Sequence, residues 1–162
     1  MLAMEIKSLL SSSDKQMLNE AGEHELYASH FYRYAASASQ RDGMFGAQKF
    51  FEKESADEAE HFQKIRDFVN DMGDMISTPA VDEIKLKDDC LSCLLNAAYE
   101  MEHDLLEFYS NVYNQAKLVS VKTFAQAMVE IQTKAVGEYG DLIARLSKCN
   151  EVLIFDQELG NK

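Results

Sequence analysis

Acidic, amide and imidazole side chains interrupt four apolar stripes of this chain at positions where each stripe predicts burial. They are Glu25 on the first stripe, Glu58 and His61 on the second, Glu102 on the third and Gln132 on the fourth. An ionised carboxylate buried without a partner is very unfavourable, and a bound cation removes that conflict. Carboxylate oxygens are ligands for hard divalent cations, whereas an imidazole indicates a transition metal. These residue types therefore predict a carboxylate–histidine metal centre.

Each stripe advances in steps of three or four residues, the spacing that keeps side chains on one face of an α-helix. The first two stripes run Leu18, Ala21, Glu25, Ala28, Tyr32, Ala35 and Phe51, Glu54, Glu58, His61, Ile65, Phe68, Met72. The other two run Leu91, Leu95, Ala98, Glu102, Leu105, Tyr109, Val112 and Ala125, Val129, Gln132, Val136, Tyr139, Ile143, Leu146. Four such helices predict an all-α protein, a bundle with the polar residues at one level of its core.

Taken singly, each of these residues has a simpler explanation, because a mid-helix glutamate usually reaches solvent and a core histidine is usually only hydrogen-bonded. Their joint occurrence at one level favours the metal centre. Tyr32 lies two turns beyond Glu25 and is predicted to hydrogen-bond a ligand. Glu54 precedes Glu58 by one turn, and it is predicted to be either a transit ligand for metal or half of a salt bridge. The remaining histidines, His24, His30 and His103, lie off the stripes and are predicted on the surface.

Helix boundaries follow from capping and turn residues. The predicted helices cover about 14–41, 47–72, 89–116 and 120–149, followed by a short amphipathic tail at 152–155. Ser13 with Gln16 is predicted as a capping box, and Asp88 or Asp89 and Ser120 as the caps of the third and fourth helices. The connection of about 15 residues between the second and third helices is long enough to cross the whole bundle, which makes those two helices parallel.

Composition disfavours several classes of partner and cofactor. The net charge of −12 disfavours nucleic acid and anionic membranes as partners. Residues 1–5 show no secretory signal, and no apolar stretch is long enough to span a membrane. Three cysteines are consistent with a reducing cytosol, and Cys90 and Cys93 are interpreted as thiols filling a first helical turn rather than a redox pair or half a zinc site. The methionines are interpreted as core residues, so no haem is predicted.

These residues resemble the ferroxidase centre of ferritins in order and spacing. The matching segments are Glu25-Leu26-Tyr27 with Tyr32, Asp57-Glu58-Ala59-Glu60-His61, Tyr99-Glu100-Met101-Glu102 and Gln132-Thr133-Lys134-Ala135. Residues 134–141 are similar to the fourth helix of H-type chains, and residues 153–159 to the short fifth helix of bacterial ferritins. The resemblance implies that residues 1–162 are a single ferritin-like domain, a four-helix bundle with one long crossover and a short C-terminal fifth helix.

The resemblance also implies a role for each residue. Glu25, Glu58 and His61 would hold one iron, and Glu58 would bridge to a second iron held also by Glu102. Gln132 and Tyr32 would be weak ligands or hydrogen-bonding partners. Two irons per subunit would then be oxidised by O2, and Fe(III) would pass to a mineral inside a cytoplasmic homo-oligomeric shell of twenty-four subunits. The implied function is iron storage and detoxification by a ferroxidase.

Some positions depart from the family's pattern. An additional acidic iron site of some bacterial ferritins would need acids near Ile131, Lys134 and Ala135, so we predict that this site is absent. The acids that often line the threefold pores would fall near Lys122 and Ala125, which places the usual iron route in question.

Other functions stay open at this stage. A bacterioferritin or other non-storage di-iron oxidase needs a second Glu-x-x-His on the last helix, which residues 132–135 do not provide. A small twelve-subunit ferritin-like protein builds its iron site between subunits and does not need this intra-bundle set. A purely structural cage subunit would pair its buried acids with basic residues, and no stripe holds a lysine or an arginine.

Overall fold

The computed structural model describes residues 4–162. Its helices are α1 Ser12–Arg41, α2 Phe45–Asp71, α3 Leu91–Gln115, α4 Val119–Lys148 and α5 Val152–Leu159. At 25 to 30 residues, α1 to α4 are each roughly 40 Å long. In this part of the chain no helix combines the length and the apolar character needed to cross a membrane. The prediction that no secretory signal is present involves residues 1–3, which lie outside the described residues.

Antiparallel pairs α1–α2 and α3–α4 build the bundle. Tyr32 of α1 stacks on Phe51 of α2 at 6.0 Å, and the backbone of Gly22 lies beside Phe62, so residue numbers rise on one helix as they fall on the other. The same relation joins α3 to α4, because the Lys122 ammonium lies 5.8 Å from the ring centroid of Tyr113 near one end of the pair.

Helices α1 and α3 are also antiparallel, because Tyr32 contacts Glu102 while Glu25 contacts Tyr109. Helices α2 and α3 are therefore parallel, which confirms the single long crossover. The crossover follows the bundle from one end to the other. At its start Ile76 is buried against Gly22, and the backbone N–H of Ser77 donates to Asn19 Oδ1 at 3.0 Å. At its end Ile84 and Leu86 pack against the apolar cluster at the far end of the bundle.

Glycines end the first two helices, as the sequence predicted. Gly43 and Gly73 both have φ of +76°, a left-handed conformation that side chains with a Cβ rarely adopt. The predicted capping box of Ser13 and Gln16 is wrong. Ser11 is the cap, and its hydroxyl accepts from the backbone N–H of Asp14 at 3.1 Å. Three consecutive serines made the position of this helix start ambiguous in the sequence.

The predicted caps of α3 and α4 are also wrong. Cys90, rather than Asp88 or Asp89, is the N-cap of α3, and its sulphur accepts from the backbone N–H of Cys93. Cys90 and Cys93 form a disulfide, where two thiols had been predicted. Helix α4 begins at Val119, one residue before Ser120, and its N-cap Leu118 makes no side-chain cap bond.

Helix α5 closes one end of the bundle. Asp156 accepts from the backbone N–H groups of Gly46 and Ala47 at 3.0 and 2.7 Å, so its carboxylate caps the start of α2. Any Cβ at residue 46 would lie 1.8 Å from the carbonyl oxygen of Asp156, which requires glycine there. Phe155 is only 1% exposed, whereas Leu153 and Ile154 are 59% and 51% exposed. The apolar tail is therefore partly covered by its own bundle and partly free.

Candidate metal centre

Polar residues form one layer across the middle of the bundle, between two apolar clusters. One cluster includes Phe51, Leu95 and Tyr139, and the other includes Leu18, Ile65 and Val112. The layer contains residues from all four long helices: Glu25, Glu58, His61, Glu102 and Gln132. Their predicted burial is confirmed, because the glutamates and the glutamine are 0 to 4% exposed and the His61 side chain is 12% exposed.

Three of these residues are already assembled. Glu25, Glu58 and His61 each offer one ligand atom, and these atoms lie within 4.8 Å of one another. His61 Nδ1 is 3.1 Å from Glu58 Oε2 and 3.5 Å from Glu25 Oε2. The i, i+3 spacing on α2 and the antiparallel packing of α1 produce this arrangement, which we call the three-residue cluster. Two carboxylates and an imidazole at these separations form a ligand set for one transition-metal ion.

Glu102 and Gln132 form the less complete part of the layer, which we call the α3–α4 pair. Glu102 Oε2 and both polar atoms of the Gln132 amide are buried without a hydrogen-bond partner among the described residues. Buried polar atoms are nearly always satisfied, so each exception needs a reason. With Glu25 Oε2, the layer holds four unpartnered buried atoms, three of them oxygens, and such a set fits a cation bound beside the three-residue cluster.

Tyrosines hold two of the carboxylates. The Tyr32 hydroxyl donates to Glu102 Oε1, and the Tyr109 hydroxyl donates to Glu25 Oε1. The two bonds are reciprocal because α1 and α3 are antiparallel and each tyrosine follows a glutamate of its own helix by seven residues. The sequence prediction for Tyr32 is thus consistent with its contact, although Tyr109 was treated only as an apolar stripe residue. A tyrosine seven residues after each acid was the missed signal.

Glu54 lies next to this layer on α2. The Tyr139 hydroxyl donates to Glu54 Oε2 at 3.0 Å, and Tyr139 also stacks on Tyr32 with ring centroids 6.1 Å apart. None of the ion pairs among the described residues involves Glu54, so the salt-bridge interpretation of this residue is wrong. Its tyrosine partner follows Gln132 by seven residues, the same spacing as the other two tyrosines.

The three residues of the cluster shift one another's pKa values in different directions. Burial alone would lower the pKa of His61. The bonds to Glu25 and Glu58 outweigh that effect and raise the pKa to about 10. Burial together with Glu25 and Glu102 raises the pKa of Glu58 well above its usual range. Burial tends to raise the pKa of Glu25 as well, but the bonds from His61, Glu58 and Tyr109 outweigh it, so the pKa of this carboxyl is lowered. These directions favour an ion pair between Glu25 and His61, with a proton kept on Glu58.

The other two acids also retain protons near neutrality. Burial raises the pKa of Glu102 to about 7, with Glu25 and Glu54 adding repulsion against the bond from Tyr32. Burial raises the pKa of Glu54 to about 7 as well, despite the bond from Tyr139. The buried polar residues of the described chain include no lysine or arginine. A divalent cation would supply the missing positive charge and displace these protons.

The remaining sequence predictions of exposure are mixed. His24, His30 and His103 are exposed, as predicted. Ala125 is 0% exposed and packs in the core of the bundle, so it cannot line a pore, whereas Lys122 is partly exposed near the start of α4.

A family model described as a ferritin-like domain matches residues 15–149. The chain is 28% identical over 159 residues to a ferritin of Pacifastacus leniusculus, covering 90% of this chain and 87% of that protein. It is 24% identical over 161 residues to a bacterial non-heme ferritin of Staphylococcus aureus, covering 95% and 97%. The fold matches that of an open pore ferritin from Archaeoglobus fulgidus with a TM-score of 0.90, at 23% identity and covering 94% and 98% of the two chains.

Proposed function

The chain belongs to the ferritin-like family, and on that premise we propose that it oxidises Fe(II) with O2 and stores the Fe(III) product as mineral inside a protein cage. The observation that carries this proposal is the buried polar layer. Three carboxylates, an imidazole and an amide converge there from four helices, without any lysine or arginine among the buried residues of the described chain. Iron is both the substrate and the cargo of this activity.

The two parts of the layer supply the two iron positions. The first Fe(II) binds the three-residue cluster of Glu25, Glu58 and His61. Glu58 also binds the second Fe(II), which is held by Glu102 and more weakly by Gln132. A neutral amide in place of a further carboxylate makes the second position the looser one, which suits a product that must leave.

Two neighbouring Fe(II) ions match the electron requirement of the reaction. Each ion gives one electron, so the pair reduces one O2 to hydrogen peroxide with the uptake of two protons. Carboxylates and an imidazole freed of its proton stabilise the higher charge of Fe(III). Tyr32 and Tyr109 position Glu102 and Glu25 by hydrogen bonds, and partners of this kind orient metal ligands.

The alternatives are less well supported. A structural subunit with no metal would leave the amide of Gln132 and one oxygen of Glu102 buried without partners. A non-storage di-iron oxidase of the bacterioferritin type needs a second histidine ligand on the last helix, and this chain has none at residues 132–135.

Exposed Leu153 and Ile154 on α5 support a homo-oligomer, because such residues need a surface to cover them. We propose a cytoplasmic shell of twenty-four subunits built from residues 1–162 as one domain, and light scattering of the purified chain tests its size.

Replacing Glu58 by Ala tests the proposed oxidation. Glu58 is the one residue assigned to both ions, so we expect Glu58→Ala to slow aerobic Fe(II) oxidation to the rate of buffer alone. Removing a buried acid can also relieve repulsion, so the metal-free helices are expected to keep or gain stability. The measurement is the rise of Fe(III) absorbance after mixing, with circular dichroism to follow folding. Glu60→Ala is the matched control, since Glu60 is an exposed glutamate on the same turn of α2.

Oxidation at the wild-type rate in Glu58→Ala would exclude a di-iron centre in this layer. An equal loss in Glu60→Ala would show that general surface charge, rather than the buried layer, controls the rate.

A further inference from the structure

A pair of sulphur atoms lies at the start of α3, apart from the polar layer. Cys90 is exposed and is the N-cap of α3, while Cys93 is partly buried in the first turn, and the two form a disulfide. The helical turn that carries the two cysteines is anchored in the core, because Leu91 and Leu94 of the same turn are only 6% and 0% exposed. Cys90 is therefore open to solvent at a helical turn that is anchored in the core, and Cys93 lies on its less exposed side.

The crosslink contributes little to the fold. A disulfide stabilises mainly by closing a loop, and this one encloses only two residues between the cysteines. The same turn is already held by the backbone bond from Leu94 N–H to the Cys90 carbonyl at 2.9 Å. The chemistry of the sulphur atoms, rather than support of α3, is what distinguishes this pair.

The helix start favours a thiolate at Cys90. The backbone N–H of Cys93 points at Cys90 Sγ from 3.2 Å, and N–H groups at a helix start have no partner within the helix. The positive end of the helix dipole adds to this, and thiolates at such positions are stabilised and reactive. Cys149 is at the opposite kind of position, the C-cap of α4, where its thiol donates to the Glu151 carbonyl at 3.1 Å.

We propose that Cys90 and Cys93 form a thiol–disulfide exchange site whose reaction partners are dithiols and disulfides. In the reductive direction, a thiolate of the partner dithiol attacks exposed Cys90 Sγ. The Cys90–Cys93 bond breaks, and its electron pair leaves on Cys93 Sγ, which takes up a proton. The second thiolate of the partner then attacks its own sulphur in the mixed disulfide and releases Cys90 as thiolate. The protein gains two electrons, and the partner becomes a disulfide.

The geometry selects dithiols over monothiols as reductants. A monothiol bound to Cys90 leaves Cys93 as a free thiol in the same turn, where it re-forms the disulfide and expels the monothiol. A dithiol completes the reaction because its second thiol is also held close by. In a reducing compartment such pairs are transient and catalytic or redox-sensing, which agrees with an exposed pair of little structural value.

Thiol counting on the full-length protein tests the proposal. After equilibration with oxidised dithiothreitol, acid quenching and alkylation, we expect mass spectrometry to find one alkylated cysteine per chain, Cys149. Reduced dithiothreitol should restore all three. On the reduced protein, brief exposure to iodoacetamide at neutral pH should modify Cys90 about tenfold faster than Cys149, the internal control. Equal rates at the two positions, or three free thiols under every condition, would overturn the proposal.

Two variants separate exchange from simple exposure. Cys93→Ser treated with oxidised glutathione should retain a glutathione adduct on Cys90, whereas the wild-type protein should expel it. Cys90→Ser keeps a hydroxyl that caps α3, so it should fold, oxidise iron normally and lose the two-electron reaction. Equal adduct in Cys93→Ser and wild type would mean that Cys93 does not resolve the intermediate, and the proposal would fail while the iron chemistry stands.

Discussion

The two parts of the polar layer differ in how completely the metal-free fold assembles them. In the three-residue cluster, Glu25, Glu58 and His61 already lie within ligand distance of a single ion. In the α3–α4 pair, Glu102 is held by one tyrosine, and the amide of Gln132 has no hydrogen-bond partner among the described residues. One part is an assembled group of possible metal ligands, and in the other the buried polar atoms still lack partners.

The difference follows from how the helices are linked. Glu58 and His61 share one turn of α2, and α1 is its direct hairpin partner, so local spacing and a short loop together position all three ligands. Glu102 and Gln132 come from the second hairpin, which reaches the layer through the long crossover. Preorganisation by short-range contacts should therefore produce a tight first site and a looser second one.

Ligand deletion should separate the two parts most strongly. With Zn(II) as a redox-inert probe, we expect Glu25→Ala to weaken the tightest binding by more than about 100-fold, because losing a ligand costs more than losing a supporting contact. Gln132→Ala should leave that first binding event within roughly threefold of wild type and weaken only the second. Isothermal titration of the metal-free protein measures both, with Glu60→Ala as control. Equal losses in both variants would mean that the layer is one undivided site.

Much of this layer could be predicted from the sequence. Residues Glu25, Glu102 and Gln132 interrupt their stripes at matching depth, and four helices with one long connection leave little choice of topology. The stripe pattern predicts which side chains are buried but not where a tyrosine hydroxyl points. Tyr109 was therefore treated only as an apolar residue, and its bond to Glu25 was missed. The caps were also not determined by this pattern, because the three serines at 11–13 and the acids at 88–89 offered several equivalent helix starts.

Glu102 of the α3–α4 pair and its neighbour Glu54 on α2 make stability depend on pH. Glu102 and Glu54 have pKa values raised from 4.5 to about 7, so between those values the folded chain holds protons that the unfolded chain has lost. Folding stability therefore falls as pH rises through that window. His61 acts in the same direction at higher pH, since its contribution is complete below 6.5 and is lost as pH rises through about 10. Glu25, with a lowered pKa, loses its contribution only in stronger acid.

We accordingly expect the metal-free protein to be less stable at pH 7.5 than at pH 5.5, and Zn(II) to reverse that order. Each pKa unit corresponds to about 1.4 kcal/mol, so the change should be on the order of a few kcal/mol. Urea unfolding at fixed ionic strength, with and without Zn(II), measures it. Glu102→Gln should flatten the pH dependence of the metal-free protein. A metal-free chain that gains stability from pH 5.5 to 7.5 would contradict the assigned protonation states.

The reciprocal tyrosines give a smaller and more specific test of the same comparison. Tyr109→Phe removes the bond to Glu25 in the formed part, and Tyr32→Phe removes the bond to Glu102 in the looser part. Supporting partners of metal ligands are worth about 10-fold or more in affinity. We expect Tyr109→Phe to weaken the first Zn(II) event by roughly that factor and Tyr32→Phe to weaken the second. The opposite assignment, or no effect of either change, would show that these hydroxyls do not position the ligands.

The smallest expected effects concern how iron reaches the looser part. Glu54 lies one turn before Glu58, and the charges of Asp57 and Glu138 help to raise its pKa. We infer that this group of acids draws cations toward the α3–α4 pair. Lys122 lies ten residues before Gln132 on α4, roughly 15 Å away along the helix. That exceeds the Debye length of about 10 Å at 0.1 M salt, so a charge there should act weakly on the centre.

We therefore expect Glu54→Ala to slow initial Fe(II) oxidation by roughly threefold at low salt, and less at high salt, since local acids raise the concentration of cations near the site. Lys122→Glu should change the rate little at either salt concentration. Stopped-flow rates of both variants at two ionic strengths decide between the routes. If iron instead passes a channel beside Lys122, Lys122→Glu will accelerate oxidation, most clearly at low salt, and Glu54→Ala will be neutral. The α3–α4 pair would then be filled from the end of the bundle, and its looseness would reflect distance from the hairpin of α1 and α2 rather than exposure to an acidic approach.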